Sequence, residues 1–125
     1  MKEIISTNQA PGAIGPYSQA VVHKDMIFCS GQIPLNPETM EIVGETAAEQ
    51  AQQVMKNLGA VLEAAGSGFS NVIKTSIFLD SMDDFASVNE VYGQYFESEP
   101  PARETVAVQT LPKHVLVEIS CIAYR

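Results

Sequence analysis

At 125 residues the chain is long enough to bury one core of its own and too short for two domains, so it is read as a single domain over 1–125. Seven Lys and Arg against 15 Asp and Glu give a net charge of −8, and the cations are scattered rather than gathered in a basic stripe. That balance argues against nucleic acid and an anionic membrane surface as partners. No apolar run is long enough to cross a bilayer, and the N-terminus lacks the layout of a signal peptide, so the expected location is the cytoplasm.

In chain order, Lys2 to Ser6 is a short β-prone start, and Asn8 to Pro16 is turn chemistry, with Pro11-Gly12 and Gly15-Pro16. An extended pattern resumes from Tyr17 to Val22. His23-Lys24-Asp25 reads as a tight hairpin connection into Met26 to Ile33, and Pro34 to Pro37 close that strand. Thr46 with Glu49 three residues later has the form of a capping box. Behind it, Ala47, Ala51, Val54, Met55, Leu58, Val61, Leu62 and Ala65 recur at helical spacing, and Gly66 is suited to end the helix in the left-handed conformation. Asn71 to Leu79 is β-branched and aromatic. Ser81 then caps a second helix whose buried stripe is Phe85, Val88, Tyr92, Tyr95 and Phe96, and Glu97 to Pro101 break it.

Two strands close the chain. Arg103 to Gln109 is the first, and Leu111 to His114 connects it to Val115–Tyr124. In that last strand Val115, Val117, Ile119, Cys121 and Ala123 share one face, and Leu116, Glu118, Ser120, Ile122 and Tyr124 share the other. The order β-β-β-helix-β-helix-β-β implies an α+β sandwich with both helices on one face of a largely antiparallel sheet. The opposite face of such apolar strands needs cover, and further copies of the chain are the simplest source. Cys29 and Cys121, with His23 and His114, make no metal-ligand spacing, and both thiols read as reduced, buried hydrophobes.

Two charged residues stand out against this pattern. Arg103 opens an apolar run directly after Pro100-Pro101, where its planar fork is costly unless it meets a carboxylate, a phosphate or water. Glu118 interrupts Val115-Leu116-Val117-Glu118-Ile119 in mid-strand. One reading pairs Arg103 with Glu118 or another nearby carboxylate as a structural bridge. The other makes Arg103 a grip for a small acid and Glu118 an acid/base or water-orienting group whose pKa burial lifts. Tyr17, stiffened by Gly15-Pro16, is either an ordinary half-buried aromatic or a ligand contact. Ser30-Gly31 is either a strand-end kink or a place where a ligand approaches the backbone. Asn89, beside the buried stripe of the second helix, has a surface or a ligand role.

Taken together, Ala10-Pro11-Gly12-Ala13-Ile14-Gly15-Pro16-Tyr17-Ser18-Gln19, Ser30-Gly31-Gln32-Ile33-Pro34, Asp84-Phe85-Ala86-Ser87-Val88-Asn89 and Pro101-Ala102-Arg103 with Leu111-Pro112 and Val117-Glu118-Ile119 closely resemble the RidA (YjgF) family, the reactive-intermediate deaminases. The resemblance runs through nearly the whole chain in order. It implies a chorismate-mutase-like fold, a homotrimer with clefts between subunits, and no metal or organic cofactor. It also implies hydrolysis of 2-imino acids (2-iminobutanoate, 2-iminopropanoate and their enamine tautomers) to 2-keto acids and ammonia, which protects pyridoxal-phosphate enzymes. Carried onto this chain, Arg103 would clamp the substrate carboxylate and Glu118 would position or activate water. Tyr17, Ser30 and the Gly31 backbone would line the cleft, with Asn89 near it. Where many deaminase-type members have Ser then Cys after the arginine, this chain has Glu104 then Thr105. Alternation leaves Thr105 on the face of Arg103, where its hydroxyl can donate to the ligand, and turns Glu104 away. The alternative is a module that binds or senses a small carboxylate such as a keto acid without turnover. The ribonuclease role reported for some relatives is opposed by the charge balance.

Overall fold

The computed structural model describes residues 1–125. Its elements are β1 (Glu3–Ile5), β2 (Ala20–His23), β3 (Met26–Gln32), α1 (Ala47–Ala64), β4 (Val72–Leu79), α2 (Phe85–Gly93), β5 (Ala102–Ala107) and β6 (Val117–Tyr124), the sequence of strands and helices expected above. The strands form one sheet in the order β1-β2-β3-β6-β4-β5. Every pairing is antiparallel except β4 with β5, which α2 connects as a crossover. No helix is long and apolar enough to cross a membrane.

Local chemistry explains the elements. Glu49 N–H donates to Thr46 Oγ1 at 3.2 Å and Thr46 N–H donates to Glu49 Oε1 at 3.0 Å, so both halves of the capping box form. These contacts hold the Glu49 carboxyl below its ordinary pKa, the Thr46 amide being the largest cause. At the other end of α1, Gly66 takes φ +80°, with Gly66 N–H on Glu63 O and Ser67 N–H on Leu62 O, the two bonds of a Schellman ending. The β2–β3 turn places Lys24 and Asp25 at φ 50° and 66°, as a tight two-residue hairpin requires. All eight residues of the α1 stripe are buried. They meet Ala20, Val22, Ile27, Cys29, Ile77, Leu79, Val117, Ile119, Cys121 and Ala123 from one face of the sheet in a single core cluster. Cys29 and Cys121 face each other across β3 and β6 as free, buried thiols. The hydrogen bond with Cys29, and then burial, push the Cys121 thiol far up its scale, which keeps it protonated and unreactive.

The other face of the sheet carries no helix. Phe28 stands beside Ile122, and Phe78 beside Val106 and Glu118; Phe28 and Val106 are 48% and 46% exposed. The unpartnered face anticipated from strand composition is therefore present, although the sequence does not say which residues form it.

Some boundaries move. β2 begins at Ala20 rather than Tyr17, because Gly15–Pro16 and the Tyr17 N–H bond to Gly15 O (2.9 Å) close a turn there. Ser81 Oγ accepts from Asp83 N–H at 3.1 Å, but the turn it caps is a 3-10 turn (Met82–Asp84) and α2 proper starts at Phe85. β5 stops at Ala107, and a 3-10 turn over Pro112–His114 delays β6 to Val117.

One buried side chain fixes the loop ahead of β2. Gln19 Oε1 accepts from Thr7 N–H at 2.7 Å, and its Nε2 donates to Pro11 O at 2.8 Å and Thr7 O at 3.1 Å. Replacing Gln19 by leucine leaves these buried backbone groups unpaired, at a cost of about 2–3 kcal/mol. We expect the midpoint of thermal unfolding to fall by roughly 5–10 °C, read by calorimetry, whereas an unchanged midpoint would show that the loop holds itself.

Candidate functional site

Arg103 and Glu118 do not form a bridge. β4 lies between β5 and β6, and the registers place the two side chains on opposite faces. Arg103 pairs with Thr75, which is buried on the helix side, whereas Glu118 pairs with Phe78 on the open side. The structural pairing considered from the sequence is thus excluded within one chain by strand order and pleat. Arg103 has no carboxylate within ion-pair distance: the bridges of the molecule are Lys74–Glu104, Arg125–Glu3 and Arg125–Asp25.

Arg103 instead meets α2. Its Nη1 donates to Asn89 Oδ1 at 2.6 Å, and its Cζ lies 5.5 Å from the centroid of Phe85 and 5.1 Å from that of Tyr92. An open cavity of about 420 Å³ lies beside it, lined also by Gly93, Phe96, Pro100 and Pro101. Glu104 points to the other face as alternation requires, where it bonds Ser76 and lies 3.2 Å from Lys74. Hydrogen bonds from Ser76 and Lys74 lower its pKa. Thr105 shares the face of Arg103. Its Oγ1 is buried with no hydrogen-bond partner, and it does not line the cavity beside Arg103.

Glu118 belongs to a second cavity, of about 390 Å³, with Tyr17, Ser30 and Gly31, whereas Arg103, Asn89 and Thr105 lie outside it. Burial lifts the Glu118 carboxyl above its ordinary pKa, and no cation or hydrogen-bond donor of the same chain offsets that. Tyr17 is 52% exposed and its hydroxyl oxygen accepts only a long bond, 3.4 Å, from Ile14 N–H. It is free to turn toward a ligand. Ser30 is less available: its hydroxyl donates to Ser18 O at 2.6 Å, and its N–H bonds Gln19 O. With its proton committed, the Ser30 oxygen can accept from a ligand but not donate to one.

Gly31 has a steric reason to be glycine. A Cβ there would stand 2.3 Å from Glu118 Oε2. Because the clash is with the end of a flexible side chain, Gly31→Ala should fold normally while displacing the carboxylate. If the Glu118 carboxylate serves a reaction, Gly31→Ala should slow it about 10- to 100-fold, the effect of a misplacement of about 1 Å; an unchanged rate in a well-folded variant would show that the position of Glu118 is immaterial.

Several lining residues were given no role from the sequence. Lys113 and Pro112 flank the Glu118 cavity with Ile14 and Met40. Lys113 is held at φ 56° and His114 at 57°, two left-handed residues in succession that no glycine or asparagine announces. The sequence pattern marks Phe85 and Tyr92 only as core stripe. A wider, shallow depression of about 990 Å³ near Lys56, Gly59 and Glu63 includes none of the expected residues. No group of His, Cys, Asp and Glu is placed to hold a metal.

The chain matches the family described as Endoribonuclease L-PSP over residues 7–125. It is 56% identical over 123 residues to a RutC family protein of Synechocystis, covering 97% of this chain and 95% of that one. It is 48% identical over 123 residues to the human 2-iminobutanoate/2-iminopropanoate deaminase, covering 98% of this chain and 90% of the human protein. Among solved structures, E. coli TdcF with bound serine superposes with a TM-score of 0.93 at 44% identity, covering 98% of each chain.

Proposed function

We propose that this chain, which belongs to the endoribonuclease L-PSP (YjgF/RidA) family, hydrolyses 2-imino acids such as 2-iminobutanoate and 2-iminopropanoate to the 2-keto acid and ammonia. Imine deamination is an activity named in the family. The observation that carries the reading here is an arginine without a carboxylate partner in a protein of net charge −8. Such a guanidinium has four of its five N–H groups left after Asn89, and two of them match a carboxylate side by side. The serine bound to E. coli TdcF is likewise a small molecule with a carboxylate next to an amine-bearing carbon.

The two cavities divide the work. The arginine cavity would bind the carboxylate of the imino acid. The Glu118 cavity would orient water toward the imine carbon, take its proton as the C–O bond forms, and return a proton to the departing nitrogen. Free imines already hydrolyse in water, so orientation and one proton relay suffice. Since one chain holds these cavities on opposite faces of its sheet, a complete site needs the arginine side of one copy against the Glu118 side of another. The bare apolar face with Phe28, Ile122, Phe78 and Val106 supports association of copies, and we assign a homotrimer with a cleft at each junction. Charge opposes the ribonuclease that the family description names, because seven scattered Lys and Arg against 15 Asp and Glu make a poor counterpart to phosphates. No cofactor enters the scheme, and the cytoplasm is the assigned location.

The experiment generates 2-iminobutanoate in situ and follows its decay with an amine that traps the imine. Wild type should shorten the lifetime and lower the trapped product. A lifetime equal to that in buffer, with carboxylate binding intact, would replace the deaminase by a binding module.

A further inference from the structure

Three side chains of α2 meet the Arg103 guanidinium, and their spacing of four and then three residues sets Phe85, Asn89 and Tyr92 on one face of the helix. Both rings lie within about 6 Å of the cation, the range in which an aromatic face attracts it. Asn89 Oδ1 takes one N–H of Nη1 at 2.6 Å. The Tyr92 ring is itself immobilised. Its hydroxyl lies 2.7 Å from Thr75 Oγ1 in the interior, and it packs against Phe96 with centroids 4.8 Å apart. Burial raises the Tyr92 pKa, so the phenol stays neutral beside Thr75. Thr75 is the residue opposite Arg103 on the neighbouring strand, which closes a ring of contacts from β5 to α2 to β4 and back.

An arginine on an edge strand, with no acid to hold it, would otherwise sample many rotamers and lose that freedom each time a ligand bound. We propose that Phe85 and Tyr92 are positioning residues for Arg103. They fix the plane of the guanidinium before substrate arrives, so that the N–H groups not taken by Asn89 are ready for a planar carboxylate. The proposal rests on the reading of Arg103 as the carboxylate grip.

The test is a double-mutant cycle read through KM and kcat for 2-iminobutanoate. A grip made equally in ground and transition states is lost in KM alone. Phe85→Leu and Tyr92→Leu should each raise KM by about tenfold with kcat within about twofold. Tyr92→Phe keeps the ring and loses only the Thr75 contact, and should raise KM about two- to threefold. In an Arg103→Met background, the same ring substitutions should change kcat/KM by less than about twofold. Tyr92 is buried, so if Tyr92→Leu fails to fold, Phe85→Leu at the partly exposed start of α2 and Tyr92→Phe decide the matter. Ring substitutions that cost the same factor with and without Arg103 would overturn the proposal, as would a fall in kcat at constant KM. If wild type binds 2-oxobutanoate without turning imine over, the same cycle is read as Kd, which separates failure of the deaminase from failure of the ring pair. If Arg103→Met alone changes neither quantity, the grip and the ring pair fall together.

Discussion

Replacing Arg103 by alanine is expected to lower kcat/KM for 2-iminobutanoate by about two to four orders of magnitude. The estimate follows from two parallel charge-assisted hydrogen bonds to the substrate carboxylate, each contributing about 1.5–3 kcal/mol. The fold should not suffer, because Arg103 is exposed, its only side-chain hydrogen bond is to the exposed Asn89, and its backbone pairing with β4 is kept by alanine. Relieving an unpaired cation at an edge strand removes little that holds β5 in place. The same variant tests the assembly. Mixed with a Glu118→Gln variant under conditions where copies exchange, it should regain activity, since about a quarter of the junctions in a cyclic assembly would then join an intact arginine face to an intact Glu118 face. Two inactive variants that stay inactive after verified exchange would place both groups' action within single chains and sink the two-copy site.

Glu118→Gln is expected to lower kcat by about 100- to 1000-fold, the usual size of a lost general acid/base group, and to make the protein more stable at neutral pH. The second effect follows from linkage. Burial raises the folded-state pKa of Glu118, so the folded chain binds this proton more tightly than the unfolded one. The stability that this binding contributes is fully present below the ordinary carboxylate pKa and is lost as pH rises through the raised value. Above that value the wild type holds a desolvated charge, which glutamine does not have. Wild-type activity should decline on the acid side as Glu118 takes up its proton, and the glutamine variant should lose that limb of the profile. A glutamine variant that unfolds at lower temperature than wild type at neutral pH, or that keeps the acid limb, would show that Glu118 is neither strained by burial nor the titrating group.

Much of the scaffold was legible before any coordinates. Helix α1 is bounded by a capping box and a left-handed glycine and carries an apolar stripe at helical spacing, and each of these is a local signal that the fold had no reason to override. The alternation from Val115 to Ala123 gave the buried face of β6 in the same way. Glu104 and Thr105 were separated correctly by the pleat alone. Boundaries were less legible where turns compete with strand propensity, as at Tyr17, Val108 and Val115.

The sequence by itself therefore determined which residues are unusual: an arginine opening an apolar run, a mid-strand glutamate and a glycine at a strand end. These follow from composition and period, which act over a few residues. Only the tertiary structure decided that Arg103 and Glu118 stand on opposite faces with β4 between them, that α2 supplies aromatic and amide contacts to the guanidinium, and that Gly31 clears room for a carboxylate 87 positions further along the chain. Strand order and the face on which a crossover helix lands are set by burying every apolar stripe at once. That condition belongs to the whole chain, and no short stretch of it carries the answer.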